Sequence, residues 1–261
     1  MDLGIEGRVA IVGGASRGLG RAIAEELALE GASLVLYART EGPLAEAANA
    51  IEARTGRAVR YVAADASRGE DLERVVETAR QTFGRIDILV NNAGGPPLGT
   101  FDDFDDAAWQ QAVDLGLMSA VRLARLVTPD MQRGQWGRIL NLLSFTVRAP
   151  APNLLLSNSI RLAVVGLAKT LSWELAPHIL VNNIAPGRIL TDRTLQMNQR
   201  NATRTARSLQ EVEAQAVSEI ALGRYGTPAE FAAMTAFLAS ERASYITGQT
   251  FLCDGGFVNS V

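Results

Sequence analysis

The chain predicts an α/β protein: one domain built on a single doubly wound parallel sheet of about seven strands, with helices on both faces. Three observations carry this. Short β-branched or Leu-rich runs alternate with longer segments of helical period. The short runs are almost continuously apolar rather than alternating, as in strands buried on both faces. A glycine-rich turn joins the first run to the first helical segment, where a parallel α/β sheet places a ligand.

The elements follow in order. Residues 9–12 form the first strand, and the glycine turn leads into a helix over 19–30. A second run, 33–37, precedes a helical segment at 43–55. A third strand at 59–62 is followed by a helix at 70–82. The apolar run 86–90 is the fourth strand, and helical spacing then holds from 107 to 131. Residues 138–142 are the fifth strand, before a helix over 153–175. Runs at 180–184 and 250–252, with a helix at 228–239 between them, complete the alternation. Residues 192–223 stand apart: they are polar and rich in Gln, Asn and Arg, with weak helical spacing only over 209–220. This stretch reads as an insertion after the sixth strand, either a lid or a solvated excursion.

Composition narrows the function. The chain has 261 residues, 48% of them hydrophobic, and a formal net charge of −3. Arg greatly outnumbers Lys, but the Arg residues are scattered, so neither nucleic acid nor a membrane surface is an expected partner. The start lacks a basic segment and a long apolar run, and no stretch reaches the length of a spanning helix. Cys253 is the single cysteine, which excludes an intrachain disulfide and fits a cytoplasmic protein. His178 is the single histidine, and no metal site is expected.

The first strand runs into Gly13-Gly14-Ala15-Ser16-Arg17-Gly18-Leu19-Gly20. Glycines permit the tight turn and a close approach of the backbone to a pyrophosphate. The helix that follows offers free N–H groups and its positive dipole end. A site for NAD wants a carboxylate at the end of the second strand; here stand Ala38 and Arg39. With Arg17 in the turn, two guanidinium groups could clamp a 2′-phosphate, which favours NADP(H) over NAD(H).

These features, taken with others, resemble the short-chain dehydrogenase/reductase family. The turn is similar to its T-G-x-x-x-G-x-G, with Gly13 in place of Thr. Asp65 stands where the family binds adenine. Asn91-Asn92-Ala93-Gly94 matches N-N-A-G, which lines the cofactor cleft. Asn182 to Gly187, with Pro186, and Thr191 resemble the stretch that contacts the nicotinamide end. Tyr245 to Gln249 and Asp254-Gly255-Gly256 resemble the C-terminal signature. The resemblance covers nearly the whole chain and looks closest to the β-ketoacyl carrier-protein reductase-like group. It implies a Rossmann fold, a nicotinamide cofactor, a small-molecule carbonyl or alcohol substrate and a homotetramer or dimer packed through the long helices. It also implies that 192–223 is a lid.

The same resemblance implies catalysis by Asn, Ser, Tyr and Lys. Ser144, ending the fifth strand, matches the Ser. At the family spacing Ser157 falls on the Tyr position, Arg161 on the Lys position and Asp114 on the Asn position. None of Tyr37, Tyr61, Tyr225 and Tyr245 is followed four residues later by Lys. A serine hydroxyl is shorter and far less acidic than a phenol, and Arg161 keeps its charge. Ser157 and Arg161 share a helix face. Asp114 is an acid/base candidate if it is buried near Arg161, or else its structural ion-pair partner. Arg148 could also face the cleft, whereas Lys169 lies two turns beyond Arg161. Three functions stay open: an NADP-dependent oxidoreductase with unusual proton transfer, a cofactor-binding protein without redox turnover, and a dehydratase-like enzyme using Asp114.

Overall fold

The computed structural model describes residues 2–260. Its strands are β1 (Val9–Gly13), β2 (Ser33–Ala38), β3 (Val59–Ala63), β4 (Ile88–Asn91), β5 (Gly137–Leu142), β6 (Ile179–Pro186) and β7 (Thr250–Cys253). They form one parallel sheet in the order β3-β2-β1-β4-β5-β6-β7. The chain reverses its winding direction between β1 and β4, which opens a crevice at the carboxyl ends of those strands.

The helices are α1 (Gly18–Leu29), α2 (Glu41–Thr55), α3 (Gly69–Phe83), α4 (Asp106–Val113), α5 (Ser119–Arg133), α6 (Leu155–Glu174), α7 (Asp192–Thr205), α8 (Leu209–Ser218) and α9 (Pro228–Leu238). Side chains alternate across the sheet and fill two cores. Val12 and Leu36 pack with Ile23 of α1, Leu44 of α2 and Phe231 of α9. Ile11 and Val35 point the other way, onto Val75 of α3, Leu123 of α5 and Ala168 of α6. Because the central strands are covered on both sides, their sequences carry no polar alternation, whereas the edge strand β3 exposes Arg60 and Tyr61.

Two regions differ from the sequence expectation. The single helix expected over 107–131 is α4 and α5 joined by a π-helical stretch, Asp114–Met118. There Gly116 packs so tightly on α6 that a Cβ would lie 2.6 Å from Ile160 Cγ2. Single π-helical turns inside α-helices are rare and frequently lie at functional sites. The first half of the polar excursion is also a regular helix, α7. It buries only Asn198 and Ala202 and is too poor in apolar residues for its sequence to mark a core-facing side. Its start is fixed instead by Thr191, whose hydroxyl accepts from the backbone of Thr194 at 3.3 Å.

Candidate active site

The glycine turn is built by close contacts. Gly14 and Gly18 have positive φ, 59° and 58°, which a side chain would strain. A Cβ on Gly20 would lie 2.7 Å from Gly13 O, so this glycine lets α1 sit against β1. Gly13, where the family resemblance expects Thr, has a different cause: a Cβ there would lie 2.5 Å from Cζ of the buried Tyr37. Leu19 packs onto the core below the turn. Ser16 and Arg17 stand in the turn, and Arg17 occupies the N-cap without capping the helix by its side chain. No acid lies in the first turn of α1. The helix therefore presents uncapped N–H groups and no competing carboxylate at the crevice, which suits a pyrophosphate.

Beside the turn, Arg39 follows β2. Arg17 and Arg39 are both exposed, and neither forms an ion pair among the described residues. Asp65, after β3, accepts from the backbone and hydroxyl of Ser67 at 2.9 and 2.8 Å.

A ladder of side-chain amides crosses the sheet. Asn91 of β4, Asn141 of β5 and Asn183 of β6 are register partners, and Asn183 pairs with Thr250 of β7. Asn91 donates to Asn141 at 2.8 Å, Asn141 to Asn183 at 2.9 Å, and Asn183 to the Thr250 hydroxyl at 3.0 Å. Each link polarises the next. At the open end, Asn91 Oδ1 is buried and has no partner. It belongs to a cavity of about 30 Å³ beside the crevice, lined also by Ala93, Gly94, Ser157 and Arg161. The cofactor cleft implied by N-N-A-G thus ends on an acceptor that still needs a donor. Asn141 escaped the sequence reading as a site residue, and Asn183 entered it only as part of the stretch toward the nicotinamide end. Their signal was a polar residue near the carboxyl end of two otherwise apolar strands.

Ser157 and Arg161 share the cavity. Arg161 donates from Nε to Ser157 Oγ at 3.1 Å and from Nη1 to the Leu142 carbonyl at 2.8 Å. It forms no ion pair among the described residues, and burial with the nearby Arg193 cation pushes its guanidinium down to about 10. Arg161 is thus a partly buried cation without a carboxylate. Ser144 follows β5 and accepts from Thr146 N at 3.3 Å as it opens the turn 145–147. Arg148, at the end of that turn, is exposed. Lys169, the only lysine of the chain, donates to the Gly248 carbonyl at 3.2 Å, so no lysine substitutes for Arg161.

Asp114 does not meet the expectation set for it. Its carboxylate accepts from Gln110 and from Arg122, each at 3.0 Å, rather than from Arg161. Its side chain is 30% exposed, and the Gln110 and Arg122 hydrogen bonds hold it below the usual carboxylate range. It is neither a partner of Arg161 nor a carboxyl group poised to exchange protons near neutral pH. Leu156, in the first turn of α6, is fully buried in the core.

At the exit of β6, Pro186 ends the strand and Gly187 allows a close approach: a Cβ there would lie 2.7 Å from Asp254 Cα. Thr191 and α7 then turn back over the crevice. A Cβ on Gly18 would lie 3.9 Å from Thr191 Cγ2, and one on Gly95 would lie 2.5 Å from Arg193 Nη2. The first turn of α7 therefore reaches from the glycine turn to the loop after β4.

A single parallel sheet with a glycine turn at its switch point and a polar cavity beside it defines a dinucleotide-binding enzyme fold. Comparison with known proteins gives the family. The model for enoyl-(acyl carrier protein) reductases matches residues 14–258. A short-chain reductase protein from Streptomyces niveus is 36% identical over 95% of this chain and 93% of its own. An NADPH-dependent reductase from Bacillus subtilis is 34% identical over 97% and 99%. L-sorbose reductase from Gluconobacter frateurii, solved with NADPH and L-sorbose, superposes with a TM-score of 0.96 at 36% identity over the full length of both chains. The chain belongs to the short-chain dehydrogenase/reductase family and is an oxidoreductase of that type.

Proposed function

We propose that this chain is an NADPH-dependent reductase of carbonyl compounds in which Ser157 and Arg161 replace the family's Tyr and Lys. The observation that carries the proposal is the hydrogen bond from Arg161 to Ser157 inside a cavity that holds no carboxylate partner for the cation. When bound, the nicotinamide supplies the hydride. The uncapped α1 N-terminus and the glycines Gly14, Gly18 and Gly20 accommodate its pyrophosphate, and Asn91, Ala93, Gly94, Pro186, Gly187 and Thr191 border the remainder of the cleft. Arg17 and Arg39 select the 2′-phosphate, and Asp65 supports the adenine side. Arg161 Nη2 has no hydrogen-bond partner among the described residues, so it is free to donate to a carbonyl oxygen or to the ribose. As the carbonyl oxygen gains charge, a fixed cation in a poorly solvated site stabilises it. The Ser157 hydroxyl, accepting from Arg161, keeps its own proton for the same oxygen, with Ser144 as a second donor. Water then supplies the net proton, a slower route than a tuned phenol.

Thr191 and Arg193 lying over the crevice support a lid at 192–223. Leu162 and Trp173, 46% and 80% exposed and three turns apart on α6, support assembly through that helix. No helix among the described residues is long and apolar enough to cross a membrane, and a cytoplasmic enzyme agrees with the lone Cys253. The test is NADPH consumption across aldehydes and ketones by purified protein, with Arg161→Gln and Ser157→Ala beside it. Consumption lost in the variants supports the proposal; NADPH bound but consumed with no carbonyl compound rejects it.

A further inference from the structure

We infer that the substrate carries a carboxylate near its reacting carbonyl, and that Arg193 of α7 holds it. The inference rests on the reductase reading above. Arg193 lies in the first turn of α7 and folds its guanidinium onto Gly95. Its flanking residues Gly94 and Pro96 line the same cavity as Ser157 and Arg161. The Arg193 side chain has no hydrogen bond and no ion pair among the described residues. Two more cations, Arg161 and Arg200, act on it or are acted on by it. Arg193 and Arg200 are exposed and Arg161 is half-buried, so solvent weakens but does not remove the repulsion among these like charges, and an anion relieves it.

No carboxylate among the described residues pairs with Arg193. Asp114 is held by Arg122, and Glu219 by Arg188 at 2.8 Å. Asp254 accepts from the backbone of Gly256 and Val258 at 3.0 and 2.9 Å. An oxyanion could come from two sources, the cofactor's pyrophosphate or the substrate. Placement favours the substrate. Thr191 faces Gly18 on the pyrophosphate side, whereas Arg193, two residues on, lies against Gly95, whose chain neighbours Gly94 and Pro96 line the Ser157 cavity. A guanidinium there offers a planar fork that matches a carboxylate.

The experiment uses the whole protein saturated with NADP⁺. It is titrated calorimetrically with 2-, 3- and 4-oxohexanoate and with their methyl esters, and the same is done for Arg193→Gln. NADPH affinity is measured separately for both proteins, and NADPH consumption is followed with each compound. At least one acid is expected to bind about tenfold or more tighter than its ester, and the variant to erase that preference with NADPH affinity unchanged. Equal binding of every acid and ester, or no binding of any, overturns the inference. A variant that weakens NADPH while keeping the acid preference assigns Arg193 to the pyrophosphate and also overturns it. Acid-selective binding without NADPH consumption rejects the reductase reading alone and leaves the anion site standing.

Discussion

Arg161 Nε donates to Ser157 Oγ across 3.1 Å, one turn apart on α6. The pair places a fixed cation and a hydroxyl on one face, toward a cavity whose other polar lining residues are Asn91, Ser119 and Asn141. The cation has no counter-charge among the described residues, which is costly unless a ligand uses it.

That cost is measurable. Arg161→Met keeps the length of the side chain and removes the unpaired charge. The ligand-free protein should hold its stability or gain about 1 kcal/mol, read by denaturant unfolding, because a buried charge is exchanged for packing. Turnover should fall at least ~10²-fold. A large loss of stability would mean that Arg161 is chiefly a strut to Leu142.

The pH dependence has a definite sign. The folded pKa of Arg161, about 10, lies below its ordinary value, so the native state disfavours its charged form. The destabilisation it causes is present below pH 10 and fades as pH rises through that value toward the unfolded one. Asp114 has the opposite linkage. Its folded pKa is lowered, so its stabilisation is present above the ordinary carboxylate value and lost as pH falls through the folded one. Neither group titrates between pH 6 and 9, and kcat/KM for carbonyl reduction should be flat across that window. A limb near neutrality would point to another proton donor.

Arg39→Asp should weaken NADPH binding about tenfold or more and leave NADH binding equal or stronger. The charge removed is a free guanidinium at the end of β2, and the carboxylate introduced can accept from a ribose hydroxyl. Fluorescence titration of both nucleotides reads the ratio; an unchanged ratio would remove Arg39 from the cofactor argument.

The sheet was readable from the chain because its strands are short, apolar and evenly spaced by helices. The glycine turn was readable because its motif fell between a strand and a helix. What stayed hidden is instructive. The π-helical stretch at Asp114 depends on how Gly116 meets Ile160, a contact between distant segments. Helix α7 has Leu195, Met197 and Ala202 as its only apolar residues, too few to mark a buried face in the sequence. The partner of Asp114 is Arg122, two helical turns on and unremarkable in sequence. The Asn ladder required the register of four strands.

Gly13 tests how the turn adapted. Gly13→Ala should destabilise the protein by roughly 2–3 kcal/mol, because the new methyl meets the Tyr37 ring and the Asn92 carbonyl, 2.8 Å from the added Cβ. Unfolding in urea measures it. A neutral substitution would mean that Tyr37 swings aside freely.

Asn141→Leu should cost about 2–4 kcal/mol, since it strands the amide of Asn91 and the carbonyl oxygen of Asn183 in the sheet interior. Hydrogen exchange at β5 and β6 reads the loss residue by residue.

The most direct test of the account is single-turnover oxidation of bound NADPH, with a carbonyl panel, by wild-type protein and by Arg161→Gln. The account predicts that both proteins bind NADPH within a few-fold of each other, that wild type oxidises it, and that the variant is slower by about 10²–10³. Equal rates in the two proteins, or tightly bound NADPH that neither protein oxidises, would contradict it.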